Sequence, residues 1–292
     1  MLCVGHAAFD ITFTVDHHPG ADEKCSASSA IFCGGGPAAN AAVTVARLGG
    51  ASALAGYLGK DPYGDQHHRE LLEEGVVTDY VVRGSQLTPL SIILAKPGGE
   101  RTVVNYRTQA SFLSKDAVDF SRCRSKVILF DGHEPLASLP LARSAVKRRT
   151  ATVLDAGSVH RGTVELVPHT DYLVASAAFA RDFSSEDDPA RALEKLSQLA
   201  PFVVITRGKD GLLWKSDSGV TGSMRAFAVD AVDTTGAGDT FHGAFALGVA
   251  RGMEFTDNLR YASAAAALCC TRLGARVGIP TRPEVEALAL AH

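Results

Sequence analysis

"DTTGAGDTFHGAF", residues 233–245, places an aspartate, Asp239, directly behind two glycines at the start of a helical pattern. Phe241, Ala244, Phe245, Gly248 and Val249 follow at helical spacing, and Gly252 stands where such a helix would stop. An acidic residue at a helix N-terminus is ordinarily a cap, because it complements the helix dipole and the free N–H groups. A second reading is chemical. Gly236, Ala237 and Gly238 leave their N–H groups uncovered, so dipole and amides together form an anion site. Phosphoryl transfer needs such oriented donors, and it needs a base for the incoming hydroxyl. On this reading the three residues hold the phosphoryl group and Asp239 takes the proton.

A second glycine-rich stretch, "CGGGPAANAAVTVARLGG", spans residues 33–50. Pro37 suits a first helical turn and Gly49 a helix end. The helix between them is almost all Ala and Val, which predicts burial against close neighbours. Asn40 is its polar intruder, in the first turn. Glycines beside it, Gly35 and Gly36 among them, allow a ligand to approach the backbone; the alternative is a tight turn with a local Asn cap. Asp10 follows the first strand after "GHAAF" and, taken alone, reads as strand-end turn chemistry.

Between these stretches, short β-branched runs alternate with helical segments: "KVILFDG" (126–132), "ATVLDAG" (151–157), "DYLVAS" (171–176) and "FVVITRG" (202–208). Continuous hydrophobicity predicts parallel strands buried on both faces, hence an α/β fold. Ligands bind at the carboxyl ends of such strands, where Asp131, Asp155, Ser176 and Arg207 fall. Residues 11–33 and 87–108 break the pattern with short alternating runs, and "KPGGE" joins the last two as a hairpin turn would. They predict a small β-sheet lid over one edge of the core.

The bulk properties exclude several classes. At 292 residues and 46% hydrophobic, the chain can bury a large core. A net charge of −3 gives no footprint for nucleic acid or anionic membrane. No apolar run approaches the ~20 residues of a membrane span, and "MLCVG" enters a strand without a signal peptide's basic region. The six cysteines include no CxxC pair, which reads as cytoplasmic and reduced. His17-His18 and His67-His68 lack the i, i+4 spacing of helical metal ligands and read as surface residues.

With its two glycine-rich signatures in this order, the chain resembles the ribokinase-like (PfkB) carbohydrate kinases over its whole length, 1–292, as a single kinase domain. The resemblance implies a three-layer α/β sandwich with a mainly parallel central sheet and a β lid, ATP as phosphoryl donor with Mg2+, and a small hydroxylated acceptor. By motif matching it makes Asp239 the base and Gly236, Ala237 and Gly238 the anion hole. It gives the sugar hydroxyls to Asp10, Gly35, Gly36 and Asn40. "TRGKDGLLW" (206–214) matches the family's nucleotide-binding stretch, so Thr206, Gly208 and Gly211 line the nucleotide, with Gly278 of the "RVGIP" loop (276–280). Asp233 and Thr235 match positions where relatives bind a monovalent cation such as K+, although Asp233 equally suits a strand-end turn. Many members carry Asn-x-x-Glu near the magnesium shell; here Ser176 and Phe179 stand in those places, and protein contacts to the metal are left unassigned.

Within the family, "GGGPAA", "GERTVVNY" and "CTRLGARVGIP" are most similar to the sulfofructose kinase branch. That branch uses an arginine for the acceptor's anionic group; the matching residue here is His133. Strand alternation puts Arg101, Val103, Asn105 and Arg107 on one face of the lid, either against solvent or over the acceptor, with Asn105 and one arginine reaching its tail. The expected activity is ATP-dependent phosphorylation of a ketose or ketose derivative. The alternatives are a nucleoside kinase of the same family and a non-catalytic sugar-binding protein. A nicotinamide-dependent oxidoreductase would need G-x-G-x-x-G directly after a core strand, and "GGGPAA" lacks the third glycine. Exposed lid edges favour a homodimer through the lid sheet.

Overall fold

Strand alternation sorts the core residues into two layers, one on each face of a nine-stranded sheet. The computed structural model describes residues 1–96, 100–108 and 112–291. Its strands are β1 (Leu2–Val4), β4 (Ala53–Gly59), β5 (Val77–Gly84), β8 (Val127–Phe130), β9 (Ala151–Ala156), β10 (Tyr172–Ser176), β11 (Phe202–Thr206), β12 (Leu212–Lys215) and β13 (Thr221–Met224). Their spatial order is β13-β12-β11-β10-β9-β8-β1-β4-β5. All neighbours from β11 to β5 are parallel, and β12 and β13 are added antiparallel. The four runs read as buried strands supply β8, β9, β10 and β11.

Cys3, Leu54, Leu129, Val153, Val174 and Val204 point to one face. They meet α1 (Pro37–Arg47), α7 (Ala237–Arg251) and α8 (Phe255–Cys269). Their sequence neighbours Leu2, Val4, Ile128, Phe130, Leu154, Leu173 and Ala175 point to the other face. There they meet α3 (Pro135–Arg148), α4 (Arg161–Leu166), α5 (Ala177–Ser184) and α6 (Pro189–Leu196). Helices α2 (Pro62–Glu73), α9 (Ala275–Gly278) and α10 (Arg282–Leu290) complete the chain. The result is the expected three-layer sandwich.

The lid is a separate sheet of β2 (Ala8–Thr14), β3 (Ser29–Gly35), β6 (Leu90–Ala95) and β7 (Arg101–Tyr106), in the order β3-β2-β6-β7. It begins at Ala8, earlier than residue 11, so Asp10 is not a turn residue: it sits inside β2, buried. Residues 97–99 of "KPGGE" lie outside the described residues, and the hairpin is closed by the Lys96 N–H donating to the Glu100 carbonyl at 2.9 Å. One lid face carries Phe32, Ile92, Val104 and Tyr106, all exposed. The opposite face turns towards the core.

Two helices carry the glycine-rich motifs, and small residues decide how they meet. Helix α1 starts with Pro37 at its first turn after Gly36, and Ala38 through Val45 are all buried. It packs on α7 at Gly243, where an added Cβ would lie 2.6 Å from the Ala41 carbonyl oxygen and 2.8 Å from Thr44 Cβ. Only a glycine permits that approach. It sets the two helix N-termini, and with them Asn40 and Asp239, side by side.

Candidate active site

Helix α7 is N-capped by Gly236 at φ 76° and C-capped by Gly252. Asp239 lies in its first turn, yet its carboxylate does not cap the helix: Oδ2 accepts from Asn40 Nδ2 at 2.8 Å. Asn40 likewise caps nothing. Its Oδ1 accepts from Arg276 Nε at 3.3 Å, so a chain runs from the half-buried Asp239 through Asn40 to Arg276, both buried. Both capping alternatives are thereby set aside. Burial pushes the Asp239 carboxyl above the usual carboxylate range, against the pull of the Asn40 hydrogen bond and the His242 ring. No acceptor among the described residues takes the N–H groups of Gly236 and Gly238, whereas that of Ala237 lies 3.4 Å from the Thr234 carbonyl. A Cβ on Gly238 would meet nothing within 4 Å. A Cβ on Gly236 would lie 2.6 Å from Ala275 Cβ, whereas the space beside Gly238 is open.

That space is a cleft of about 170 Å³ at the carboxyl ends of β8 to β11, whose lining includes Asp131, His133, Asp155, Ser176, Gly238 and Asp239. His160, Thr206 and His242 line it as well. The Asp131 carboxylate accepts backbone N–H bonds from His6 (2.7 Å), His133 (2.8 Å) and Ala38 (3.2 Å), which ties β8 to the starts of β2 and α1. Asp155 is buried against His242, and desolvation raises its carboxyl to about 7. His133 and His160 stack with centroids 4.6 Å apart. Burial holds His160 below its ordinary value.

Asp10, on the lid, lies outside the cleft lining but close enough to Arg276 and Asp239 to feel their charges. It is buried, with its carboxyl raised to about 6 by desolvation, against the Ser91 hydrogen bond and the Arg276 charge. Register aligns Cys33, Asp10, Ser91 and Asn105 across the four lid strands, so Asn105 shares the face of Asp10. Gly35 is required where it stands, because a Cβ there would overlap the Asp10 carboxylate. Gly36, at φ 93°, would drive one to 2.6 Å from the His6 carbonyl oxygen.

The two lid arginines have protein partners. Arg107 pairs with the buried Glu134 and lies 3.7 Å over the Phe112 ring. Arg101 donates to Thr234 Oγ1 at 2.6 Å. Asp233 binds the N–H groups of Thr235 (2.8 Å) and Gly274 (2.9 Å) and the Thr235 hydroxyl (2.6 Å), as a strand-end turn residue does. Gly208, Gly211 and Gly278 lie outside the cleft lining. Gly211 packs on the Met224 carbonyl, and a Cβ on Gly278 would lie 2.5 Å from the Cys269 carbonyl oxygen.

One surface assignment is corrected. His67 is fully buried, with Nε2 3.2 Å from Arg276 Nη2. The adjacency of His67 and His68 concealed that successive helical residues point about 100° apart, one inward and one outward. Asp131 and Asp155 are marked in the sequence by their place at strand ends, whereas motif reading missed the parts of Arg276, His160 and His242. His242 had a signal, since it stands four residues after Gly238 and hence directly above it on the helix.

Unpartnered amides at a helix start, a half-buried carboxylate beside them and a strand-end cleft are the parts that a phosphotransferase acting on a small hydroxylated molecule needs. The pfkB family carbohydrate kinase model matches residues 1–282. The chain belongs to this family and is an ATP-dependent sugar kinase. It is 31% identical over 293 residues to the ribokinase of Bacillus subtilis (strain 168), covering 98% of each chain. It is 30% identical to the ATP-dependent ribose-1-phosphate kinase of Halopiger xanaduensis, covering 98% of this chain and 97% of the other. The structure of Arabidopsis thaliana ribokinase complexed with ribose and ATP superposes with a TM-score of 0.85 at 26% identity, covering 99% and 97% of the two chains.

Proposed function

We propose that the protein transfers the γ-phosphoryl group of ATP to a hydroxyl of a small, uncharged sugar of the ketose class. Asp239 is the general base, and the N–H groups of Gly236, Ala237 and Gly238 bind the transferring group. The observation that carries this reading is the Asp239 carboxylate, held by Asn40 at the wall of the cleft beside unpartnered amides. The sugar hydroxyls fall to Asp10, Gly35, Gly36, Asn40, Asn105 and His133, and the nucleotide to Thr206, Gly208, Gly211 and Gly278. An uncharged acceptor is favoured because the Arg107 guanidinium is already paired with the buried Glu134 carboxylate. This departs from the anionic tail of the sulfofructose branch.

Among the described residues no group of three or more His, Cys, Asp or Glu side chains can hold a metal. Phe179, in the place of the family's Glu, is buried against Phe183 in the core. The Ser176 hydroxyl donates to the Gly157 carbonyl at 2.8 Å and caps Phe179 N at 2.9 Å. These residues fit a Mg2+ that arrives on the nucleotide's own phosphates and keeps its waters, not one bound in advance. Such an ion neutralises phosphate charge. K+ at Asp233 and Thr235 would have to share a carboxylate that already accepts three hydrogen bonds. The exposed apolar lid face suits a second copy of the chain, giving a homodimer.

A coupled assay of ADP release with D-fructose, D-ribose, ribose 1-phosphate and adenosine tests the reading. The highest kcat/KM is expected with the ketose. A preference for adenosine or for the sugar phosphate overturns the acceptor class, and no ATP consumption with any sugar overturns the activity.

A further inference from the structure

His242 stands one turn into α7 from Gly238, and its ring is buried. Nδ1 lies 2.6 Å from the Gly238 carbonyl oxygen and 3.3 Å from Asp155 Oδ2. Nε2 lies 3.2 Å from the Val174 carbonyl oxygen. Each of these neighbours is an acceptor, so the ring is fully satisfied only by donating from both nitrogens. Packing alone does not call for this arrangement, since Phe241 and Phe245 fill the adjacent core positions of the same helix with apolar rings. What the ring holds is the Gly238 carbonyl. That carbonyl and the Asp239 N–H are opposite ends of one planar peptide, so fixing one aims the other. Asp155, on β9, fixes the ring in turn, and Gly238, Asp239, Asp155 and His242 line the same cleft.

We propose that His242, oriented by Asp155, is a positioning residue for phosphoryl transfer. It locks the Gly238–Asp239 peptide, so that Gly238, whose own N–H is one of the proposed donors, cannot swing out of the helix start and the Asp239 carboxylate stays aimed at the acceptor. This rests on the reading of that helix start as the phosphoryl cradle. Preorganised donors act most strongly where transition-state charge develops. The effect therefore falls on the transferring group and spares the resting affinity for nucleotide.

Calorimetry of Mg·ADP binding, with and without aluminium fluoride as a mimic of the phosphoryl group in transfer, tests this on wild type, His242→Leu, His242→Asn and Asp155→Asn. The Kd for Mg·ADP alone is expected to stay within about threefold in every variant, well under the tenfold of 1.4 kcal/mol. The affinity gained with aluminium fluoride is expected to drop by about tenfold or more in His242→Leu and Asp155→Asn. It should partly return in His242→Asn, whose amide can donate to the carbonyl four residues back. A full gain in His242→Leu overturns the proposal. So does an equal loss of both affinities, which marks a ring that only packs the helix. Should His242→Leu fail to fold, Asp155→Asn and His242→Asn decide by the same two outcomes. If wild type gains nothing from aluminium fluoride, the cradle reading itself fails.

Discussion

Asn40→Ala separates a base that is held ready from one that is merely nearby. In wild type the Asn40 amide donates to Asp239 Oδ2 at 2.8 Å. Burial alone pushes the Asp239 carboxyl up, because it penalises the charged form, and Asp131 pushes the same way. Asn40, His242 and Arg101 pull it down. A base works ionised, so turnover is lost as pH falls through the folded value of Asp239. Removing Asn40 removes the hydrogen bond that favours the ionised carboxylate, and the acid limb of the kcat profile must move to higher pH. A hydrogen bond to a charged acceptor contributes about 1.5–3 kcal/mol, so kcat below the limb should fall by about 10- to 150-fold. Well above the limb, where the carboxyl is ionised in both proteins, the loss should shrink to a few-fold. The assay is kcat at saturating ATP and sugar from pH 5 to 9, with a melting temperature at each pH. Saturation removes any contribution of Asn40 to sugar binding, which appears in KM instead. An equal loss at every pH would refute the reasoning and leave Asn40 a packing residue.

Four further outcomes are expected. Asp239→Asn should lower kcat by about 10²–10⁴-fold with Mg·ADP affinity nearly unchanged; retention of a tenth of wild-type kcat removes it as the base. Gly243→Ala should cost about 1–3 kcal/mol by overpacking and, by parting α1 from α7, should depress kcat further than the fall in melting temperature alone explains; wild-type kinetics would show that Asn40 and Asp239 are set independently. Val104→Lys, which places a charge among the exposed lid residues, should convert a dimer to a monomer in light scattering, and a wild-type monomer would dispose of the lid interface. Arg107→Ala leaves Glu134, 1% exposed, without its cation. Burial already raises that carboxyl to about 7, so the ionised form destabilises the fold progressively as pH rises from about 4.5 through 7. Removing the cation deepens that loss, and the variant's melting temperature should fall more at pH 8 than at pH 5; an equal fall at both points to lost packing on Phe112.

The parts of this molecule that were legible in sequence are those where one local pattern has one structural solution. Continuous β-branched runs closed by Asp, Gly or Ser gave β8, β9, β10 and β11, because only a strand buried on both faces can be apolar at every position. Gly236 and Gly252 bracketed α7 because each takes a positive φ that other residues rarely adopt. Asp10 was misplaced for the converse reason. A short polar-interrupted run looks the same whether its aspartate ends a strand or sits within one, and only pairing with Cys33 and Ser91 settles which.

What stayed hidden was the second layer of partners, most of it non-local. Asn40 lies 199 residues from Asp239 and 236 from Arg276 in the chain, and nothing in either motif announces the other. The lid arginines show the consequence. Alternation correctly put Arg101 and Asn105 on one face, but it could not foresee that Arg101 would be taken by Thr234 and Arg107 by Glu134. A cation free to meet an anionic sugar and a cation spent on the fold have the same sequence. For Arg107 the difference is a single carboxylate, Glu134, buried at the N-cap of α3, where it also accepts the Leu113 N–H at 2.6 Å. On the proposed reading acceptor charge turns on a residue outside both signatures, and a Glu134→Gln variant tests that directly. It should release Arg107 and raise kcat/KM for ribose 1-phosphate relative to D-ribose, since a guanidinium without its carboxylate becomes available to phosphate. An unchanged ratio would mean that Arg107 never faces the acceptor, and the acceptor's charge would then have to be read from His133 and His160 alone.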